Sequence, residues 1–203
     1  MTKPLLILDV DGVVIRDPLL MAHMQYNVTQ FVKKKLPQSK QPHKAAHVLY
    51  KKYGHTALGL GVSVKEFEDE VFDQSLISHL HTVIDGDTFQ RDLVYLRPLC
   101  KEYDVRLFSN SPLIWTLPIA SEFRAPVKIH KNHQFVKPDP RAYDMFPKTI
   151  PKYFVDDSLL NLRTAQGFKL WKCIHFSDKV GTEFLTVQSI LELALQLRRI
   201  RRM

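Results

Sequence analysis

The sequence predicts an α/β protein: a mostly parallel, doubly wound sheet with a helical insertion after its first strand. Three observations carry this prediction. Short apolar runs at Leu5-Leu6-Ile7-Leu8, Val105-Arg106-Leu107-Phe108 and Tyr153-Phe154-Val155 each end in polar residues, as buried strands of a parallel sheet do. Helix signals lie between these runs, and strands that alternate with helices imply a parallel sheet. Residues 16 to 86 carry helix starts and stops but no strand-rich pattern.

The elements follow in order. Pro4 to Leu8 reads as a buried strand, and Gly12 permits an abrupt turn after it. Asp17-Pro18 combines a capping aspartate with proline at the first helical position, and the helix runs to Leu36. Pro42 opens a second helix that Gly54 stops near Tyr53. Ser63-Val64-Lys65-Glu66 matches a capping box, with Phe67, Val71 and Phe72 as the apolar face behind it. A helix is expected from Thr88 to Leu96, interrupted near Pro98 and resumed to about Tyr103. Strands follow at 105–109 and near 127–129, then a helix from Pro140 to Phe146 and a strand from Tyr153 to Asp156. Leu159 to Gln166 reads as helix, Leu170 to Phe176 as a last strand, and Glu183 to Arg202 as an amphipathic helix with Leu185, Ile190, Leu193, Leu197 and Ile200 on one face.

Length and composition set bounds. The 203 residues suit one α/β core with one insertion. No run of about 18 apolar residues is present, so no membrane span is expected. The short stretch before Leu5 leaves no room for a signal peptide, and the two distant cysteines, Cys100 and Cys173, suggest buried free thiols in a cytoplasmic protein. The net charge of +8 includes two basic runs, Lys33-Lys34-Lys35 and Arg198 to Arg202. Both lie near expected helix C-termini, where cations suit the macrodipole; a solvated surface is favoured over a nucleic-acid site.

Asp9 and Asp11 stand at the carboxyl end of the first strand, where open α/β sheets place their chemistry. Like charges this close need relief, by a bound Mg2+ or by protonation of one member. One could act as a nucleophile and the other as an acid and base, although a solvated turn alone can also produce such a pair. Three later segments add Ser109-Asn110 at the end of a second strand, Lys137 before Pro138, and Asp156-Asp157 at the end of a third.

The order acid pair, hydroxyl, lysine, acid pair resembles the four motifs of the haloacid dehalogenase-like (HAD) hydrolase superfamily, over nearly the whole chain from Leu5 to about Phe176. The resemblance implies a Rossmann-like core at residues 1–15 and 87–203 and an inserted α-helical cap at residues 16–86. It implies Asp9 as nucleophile and Asp11 as acid and base, with the Asp11 backbone carbonyl also binding metal. Asp157 becomes the direct Mg2+ ligand and Asp156 a ligand through water, with Asp9 completing the metal set. Ser109 and the Asn110 backbone N–H would bond a phosphoryl oxygen, and Lys137 would neutralise charge on Asp9 and the phosphoryl group. Arg16 could face phosphate or solvent; His130 and His133 read as loop residues.

The second aspartate argues against dehalogenation, because a halide leaves without a proton and an oxygen leaving group needs one. The segment Leu49 to Leu60, with Phe108-Ser109-Asn110 and Cys173-Ile174-His175, resembles pyrimidine 5'-nucleotidase-like members, although Ser111 to Trp115 departs from them. In that reading Tyr50, Tyr53 and His55 could stack on a base or bond a ribose, with Tyr53 or His55 as the substrate contact; Tyr50 and Tyr53 share a helix face and could equally pack the cap. The expectation is a Mg2+-dependent phosphatase of small phosphorylated metabolites, a nucleoside monophosphate first, with no membrane partner. The rivals are a sugar-phosphate phosphatase or phosphomutase and, outside enzymes, a regulatory or nucleic-acid-binding module.

Overall fold

The computed structural model describes residues 2–131, 135–179 and 181–202. Its strands are β1 (Leu5–Leu8), β2 (Asp104–Phe108), β3 (Lys128–His130), β4 (Lys152–Asp156), β5 (Trp171–Phe176) and β6 (Leu185–Val187). They form one sheet in the order β3-β2-β1-β4-β5-β6, every pair parallel. The chain starts at β1, works outward to one edge, then returns to build the other side. The order reverses between β1 and β4, so a crevice opens there at the carboxyl ends of the strands. This is the predicted α/β, Rossmann-like class.

Side chains alternate along each strand, so the two faces of the sheet feed two cores. Leu6, Leu8, Val105, Leu107 and Val155 pack in one with α6 (Asp87–Glu102) and α9 (Ile190–Arg202), through residues such as Leu93, Leu96, Leu193 and Leu197. Leu5, Ile7, Phe108 and Phe154 pack in the other with α8 (Leu159–Gln166) and a 3-10 turn at Pro140–Tyr143. Both faces are therefore covered, which explains why the central strands are continuously apolar.

Between β1 and α6 the chain forms α1 (Pro18–Lys35), α2 (Pro42–Tyr53), α3 (Thr56–Leu60), α4 (Val64–Val71) and α5 (Gln74–Asp85). Asp17 accepts from the Leu20 N–H at 2.8 Å and opens α1, as expected. The Gly54 backbone at φ 72° closes α2. Ser63 accepts from the Glu66 N–H at 3.0 Å, but Glu66 pairs with Lys35 of α1, so only half of the expected box forms. The Asn27 amide donates to the Val71 carbonyl at 2.9 Å, tying α1 to α4.

Four expectations need correction. The helix α6 runs unbroken through Pro98. The carbonyl that Pro98 leaves unpaired belongs to Val94, an exposed residue where water can serve it, while Leu96 and Leu99 anchor the turn. Helix α7 (Leu113–Ser121) occupies a segment in which no element was expected. The predicted helix at Pro140–Phe146 is only the short 3-10 turn. The expected terminal helix is divided: Leu185 lies on the edge strand β6, and α9 starts after Ser189, which accepts from the Glu192 N–H, while Glu192 accepts from the Gln188 N–H. Cys100 and Cys173 are free and half-buried. Among the described residues no helix is long and apolar enough to cross a membrane.

Candidate active site

The site sits at the β1–β4 crevice. The Asp9 N–H donates to the Val155 carbonyl at 2.9 Å, which continues the pairing of β1 with β4 past the strand end. Its Oδ1 accepts from the Val10 N–H at 2.7 Å and is 2.9 Å from the Lys137 ammonium. The chain then turns sharply, with the Val10 carbonyl accepting from Val14 and Ile15 and with Gly12 at φ 84°. A Cβ at Gly12 would stand 2.4 Å from Asp157 Oδ2, so glycine is what lets this turn approach the second acid pair.

Lys137 is buried between two carboxylates: its Nζ lies 2.8 Å from Asp156 and 2.9 Å from Asp9. Burial alone would depress this ammonium; Asp156 and Asp9 more than reverse that and hold it above its ordinary range. Asn110 fixes the backbone that carries it. Its amide donates to the Lys137 carbonyl and accepts from the Lys137 N–H, both at 2.9 Å. The expected substrate-binding role rested on the Asn110 backbone; the structure shows its side chain occupied in positioning Lys137.

Asp156 is fully enclosed, its two oxygens taken by Lys137, the Ser158 N–H at 2.8 Å and the Asn161 amide at 3.1 Å. Asp157 opens on the cavity, and its backbone carbonyl meets His175 Nε2 at 3.2 Å. Carboxylate oxygens of Asp9, Asp156 and Asp157 lie within 4.8 Å of one another. Burial first, then mutual repulsion, raises Asp9 well above the usual carboxylate range, with Lys137 opposing; Asp157 is raised by burial and by Asp156. Three carboxylates against one ammonium leave an excess of negative charge, and an all-oxygen donor set of this kind fits a hard divalent cation. The Asp11 carboxylate is not in this group.

The Asp11 carboxylate turns instead toward α7, accepting from the Trp115 indole N–H at 2.8 Å and the Ser111 hydroxyl at 2.5 Å. Burial raises it, and these donors oppose the shift. Ser109 is buried beside it, with its hydroxyl oxygen accepting from the Ser111 N–H at 3.0 Å.

A cavity of about 370 Å³ joins these groups to the inserted helices; Asp9, Asp11, Ser109, Asn110, Lys137 and Asp157 form its floor. Its roof is a stripe of α1, Met21, Met24, Gln25 and Val28, with Ala46, His47 and Tyr50 of α2 and Phe67, Val71 and Phe72 beyond. No Asp, Glu, Lys or Arg of the inserted helices lines it. Tyr50 is half-exposed overall, but it faces the acid cluster: loss of water around its phenol, then Asp9, Asp156 and Asp157, raises it far above the ordinary value. The roof is held on the floor by Glu68 of α4 pairing with Lys131, and by Gly54, where a Cβ would stand 2.1 Å from Pro138 and 2.8 Å from the Lys137 carbonyl.

Of the cap residues singled out from sequence, Tyr53 does not reach the cavity; its ring lies against Gly59 under the Lys52 ammonium, because α2 turns that side onto α3. Tyr50, on the same helix face, lines the cavity. His55 lines the cavity, but its Nδ1 is occupied in capping α3 through the Ala57 N–H at 3.2 Å. Its ring meets Phe67 edge-on, and burial, then Lys131, depresses its pKa to about 4. Arg16 does not line the cavity; partly exposed, it pairs with Asp92 of α6 and lies over the Phe176 ring. His130 ends β3 and bonds Arg106 at 3.1 Å, outside the cavity, while His133 lies outside the described residues. Sequence reasoning missed Ser111, Trp115 and the α1 stripe. The stripe's i, i+3, i+4, i+7 spacing was the available signal.

No family model matches the sequence, and no curated protein matches it. Solved structures do. The HAD-hydrolase YfnB of Bacillus subtilis, bound to magnesium, is 13% identical with a TM-score of 0.55, over 97% of this chain and 99% of that one. A haloacid dehalogenase-like hydrolase of Burkholderia xenovorans LB400 is 14% identical with a TM-score of 0.53, over 98% of each. The L-2-haloacid dehalogenase PA0810 is 14% identical with a TM-score of 0.54, over 97% of this chain and 100% of that one. Identities this low speak for architecture, and the architecture of this chain is the fold of the haloacid dehalogenase-like hydrolases.

Proposed function

We propose that this chain is a Mg2+-dependent phosphomonoesterase acting through an aspartyl-phosphate, with a nucleoside 5'-monophosphate as its substrate. The observation that carries this reading is the convergence of Asp9, Asp11, Ser109, Lys137 and Asp157, from four separate segments, on one cavity floor. Residues 1–15 and 87–203 then serve as the catalytic core and residues 16–86 as the cap.

Asp9 attacks phosphorus as the bond to the leaving oxygen breaks, and Asp11 gives that oxygen its proton. Asp11, now a carboxylate, takes a proton from water, whose oxygen attacks phosphorus and displaces Asp9. Lys137 holds the Asp9 carboxylate in place and faces the phosphoryl charge with a fixed ammonium, while Ser109 and the Asn110 N–H bond the phosphoryl oxygens. Asp9, Asp157, the Asp11 carbonyl and, through water, Asp156 would hold Mg2+, which supplies positive charge to the transferring phosphoryl group when bound. The acid at Asp11 favours this chemistry over dehalogenation.

The roof supports a neutral leaving group with a flat or apolar body: methionines and aromatic rings to take a base, Gln25 and His47 to bond its edge, and no charged side chain. A sugar phosphate would leave much of this surface facing hydroxyls. The free cysteines suit a reducing cytosol. A screen of phosphorylated metabolites for free phosphate, with Mg2+ and with chelator, tests the proposal. Mg2+-dependent release from nucleoside monophosphates is expected. Release from sugar phosphates alone removes the substrate assignment, a persistent phosphoenzyme without release favours a mutase, and no transfer at all overturns the enzymatic reading.

A further inference from the structure

A second pocket lies at the opposite end of the sheet. Lys152 opens β4 there, beside its register partner Trp171, the first residue of β5. Asp156 stands four residues along the same strand, ~13 Å away at the usual rise. The pocket has a volume of about 140 Å³, close to the ~150 Å³ of an engineered cavity that takes up benzene. Its walls are aromatic: Trp171 meets Tyr143 and Phe146 edge-on at 5.5 and 5.4 Å, and Phe168 closes the side.

The charge in this pocket lacks a counterpart. Lys152 is 1% exposed, although it lies nearer the surface than Lys137 and has fewer protein atoms packed around it. Lys137 has two carboxylates; among the described residues the Lys152 Nζ donates only to the Ile150 carbonyl, at 2.7 Å, with the Trp171 ring 5.7 Å away. It forms no ion pair among the described residues, and burial lowers its pKa with nothing opposing. Lys148 and Lys169 also line the pocket, and the one acid among its described lining residues, Asp144, faces Lys148 at 3.8 Å. An isolated ammonium enclosed by rings is costly unless an anion or water meets it.

We propose that this pocket binds a single-ring aromatic carboxylate, with the ring seated against Trp171, Phe146 and Phe168 and the carboxylate accepting from Lys152. A ring matches the volume and the edge-to-face walls. A carboxylate supplies the missing partner with a strong, charge-assisted hydrogen bond. The site is separate from the crevice that holds Asp9, so its occupation does not depend on the phosphatase reading.

The test titrates the whole protein with benzoate and with its neutral counterpart benzyl alcohol, following tryptophan fluorescence and calorimetry. Benzoate should saturate with a dissociation constant of ~1 mM, as befits so small a ligand, and bind at least about tenfold more tightly than benzyl alcohol. Lys152→Met should weaken benzoate about tenfold and leave benzyl alcohol unchanged. Lys169→Gln, an exposed change that cannot threaten the core, should weaken benzoate about threefold. Saturating Mg2+ and inorganic phosphate should leave benzoate affinity unchanged. Equal binding of the two probes, unaltered affinity in both variants, displacement by phosphate, or no saturable binding would each overturn the proposal. If Lys152→Met fails to fold, the probe pair and Lys169→Gln decide.

Discussion

Asp9→Asn should reverse its effect on stability when Mg2+ is added. Asp9, Asp156 and Asp157 share a space in which their oxygens lie within 4.8 Å, and Lys137 stands 2.9 Å from Asp9. At an effective dielectric of about 20, two like charges 4.8 Å apart repel by roughly 3.5 kcal/mol, and the Lys137 contact returns roughly 5.7 kcal/mol. Repulsion from enclosed Asp156 and from the more solvated Asp157 thus nearly cancels the ion pair, and the cost of burying Asp9 remains. The raised pKa of Asp9 points the same way. An asparagine keeps the shape and a polar contact with Val10 and removes the charge.

In chelator, then, Asp9→Asn should be as stable as the parent chain or more stable by ~1 kcal/mol, a rise of about 2–4 °C in melting temperature for a chain of this size. Mg2+ at about a hundred times its dissociation constant should stabilise the parent by ~2.7 kcal/mol, or roughly 5–11 °C, and the variant by less than half of that. The stability order therefore inverts. Phosphate release should fall by at least ~1,000-fold, because an amide does not attack phosphorus. Scanning calorimetry of both proteins with chelator and with Mg2+ reads the whole pattern. A variant less stable than the parent in chelator by ~2 kcal/mol would show that the Lys137 pair outweighs the crowding. Equal shifts with Mg2+ would remove Asp9 from the cation site.

Trp115→Phe removes one of two donors to Asp11 while keeping the ring; turnover should drop by ~10–100-fold with folding intact, measured as initial rates beside a melting curve. Asn110→Ala frees the Lys137 backbone and should lower turnover of every phosphate ester alike, by ~10-fold or more; a loss confined to nucleotides would give Asn110 a direct substrate contact. Gly54→Ala forces a left-handed position and meets Pro138 and the Lys137 carbonyl, so it should cost ~1–3 kcal/mol in a urea midpoint and also weaken activity, since it lies where roof meets floor. His55 is held neutral with a pKa of about 4 against 6.5 for the free side chain. The unfolded chain therefore takes up a proton first. Stability is full above about pH 7 and falls between pH 6.5 and 4, by at most ~3 kcal/mol. Urea melts at pH 7.5 and 4.5 on the parent and on His55→Asn, which retains a capping oxygen, should show a shallower loss in the variant.

What sequence made legible divides along local and non-local lines. The strand ends at Asp9, Ser109 and Asp156 could be read because an apolar run that stops at a polar residue is a pattern within six residues of chain. The helices that open at Asp17 and stop at Gly54 could be read for the same reason: a cap is a local hydrogen bond or a local backbone angle. Helix α7 could not. Leu113 to Ser121 is apolar nearly all round and carries Pro118, so it offers no amphipathic period and one explicit breaker. Strand β6 is three residues long and exists only because the edge of β5 is there to pair with it.

The same division explains the site. The acid pairs announced themselves, but the contacts that orient them join residues far apart in sequence: Trp115 reaches Asp11 across 104 positions and Asn110 clamps Lys137 across 27. Tyr50 and Tyr53 show where periodicity alone gives out. Three residues apart, they share a helix face, yet α2 lies on α3, and that contact claims Tyr53 for Gly59 and leaves Tyr50 to the cavity. A period says which side chains travel together, and only the packing partner says which of them is left free. The floor of the cavity is fixed by turns at strand ends, so the chemistry can be read early. The roof is fixed by how five helices rest on one another, so the choice of substrate is written in contacts that no single segment contains. That asymmetry predicts where substitutions act: changes at Asp9 or Lys137 should alter every substrate alike, whereas changes at Met24, Gln25 or Tyr50 should reorder preference among substrates while the phosphoryl chemistry persists.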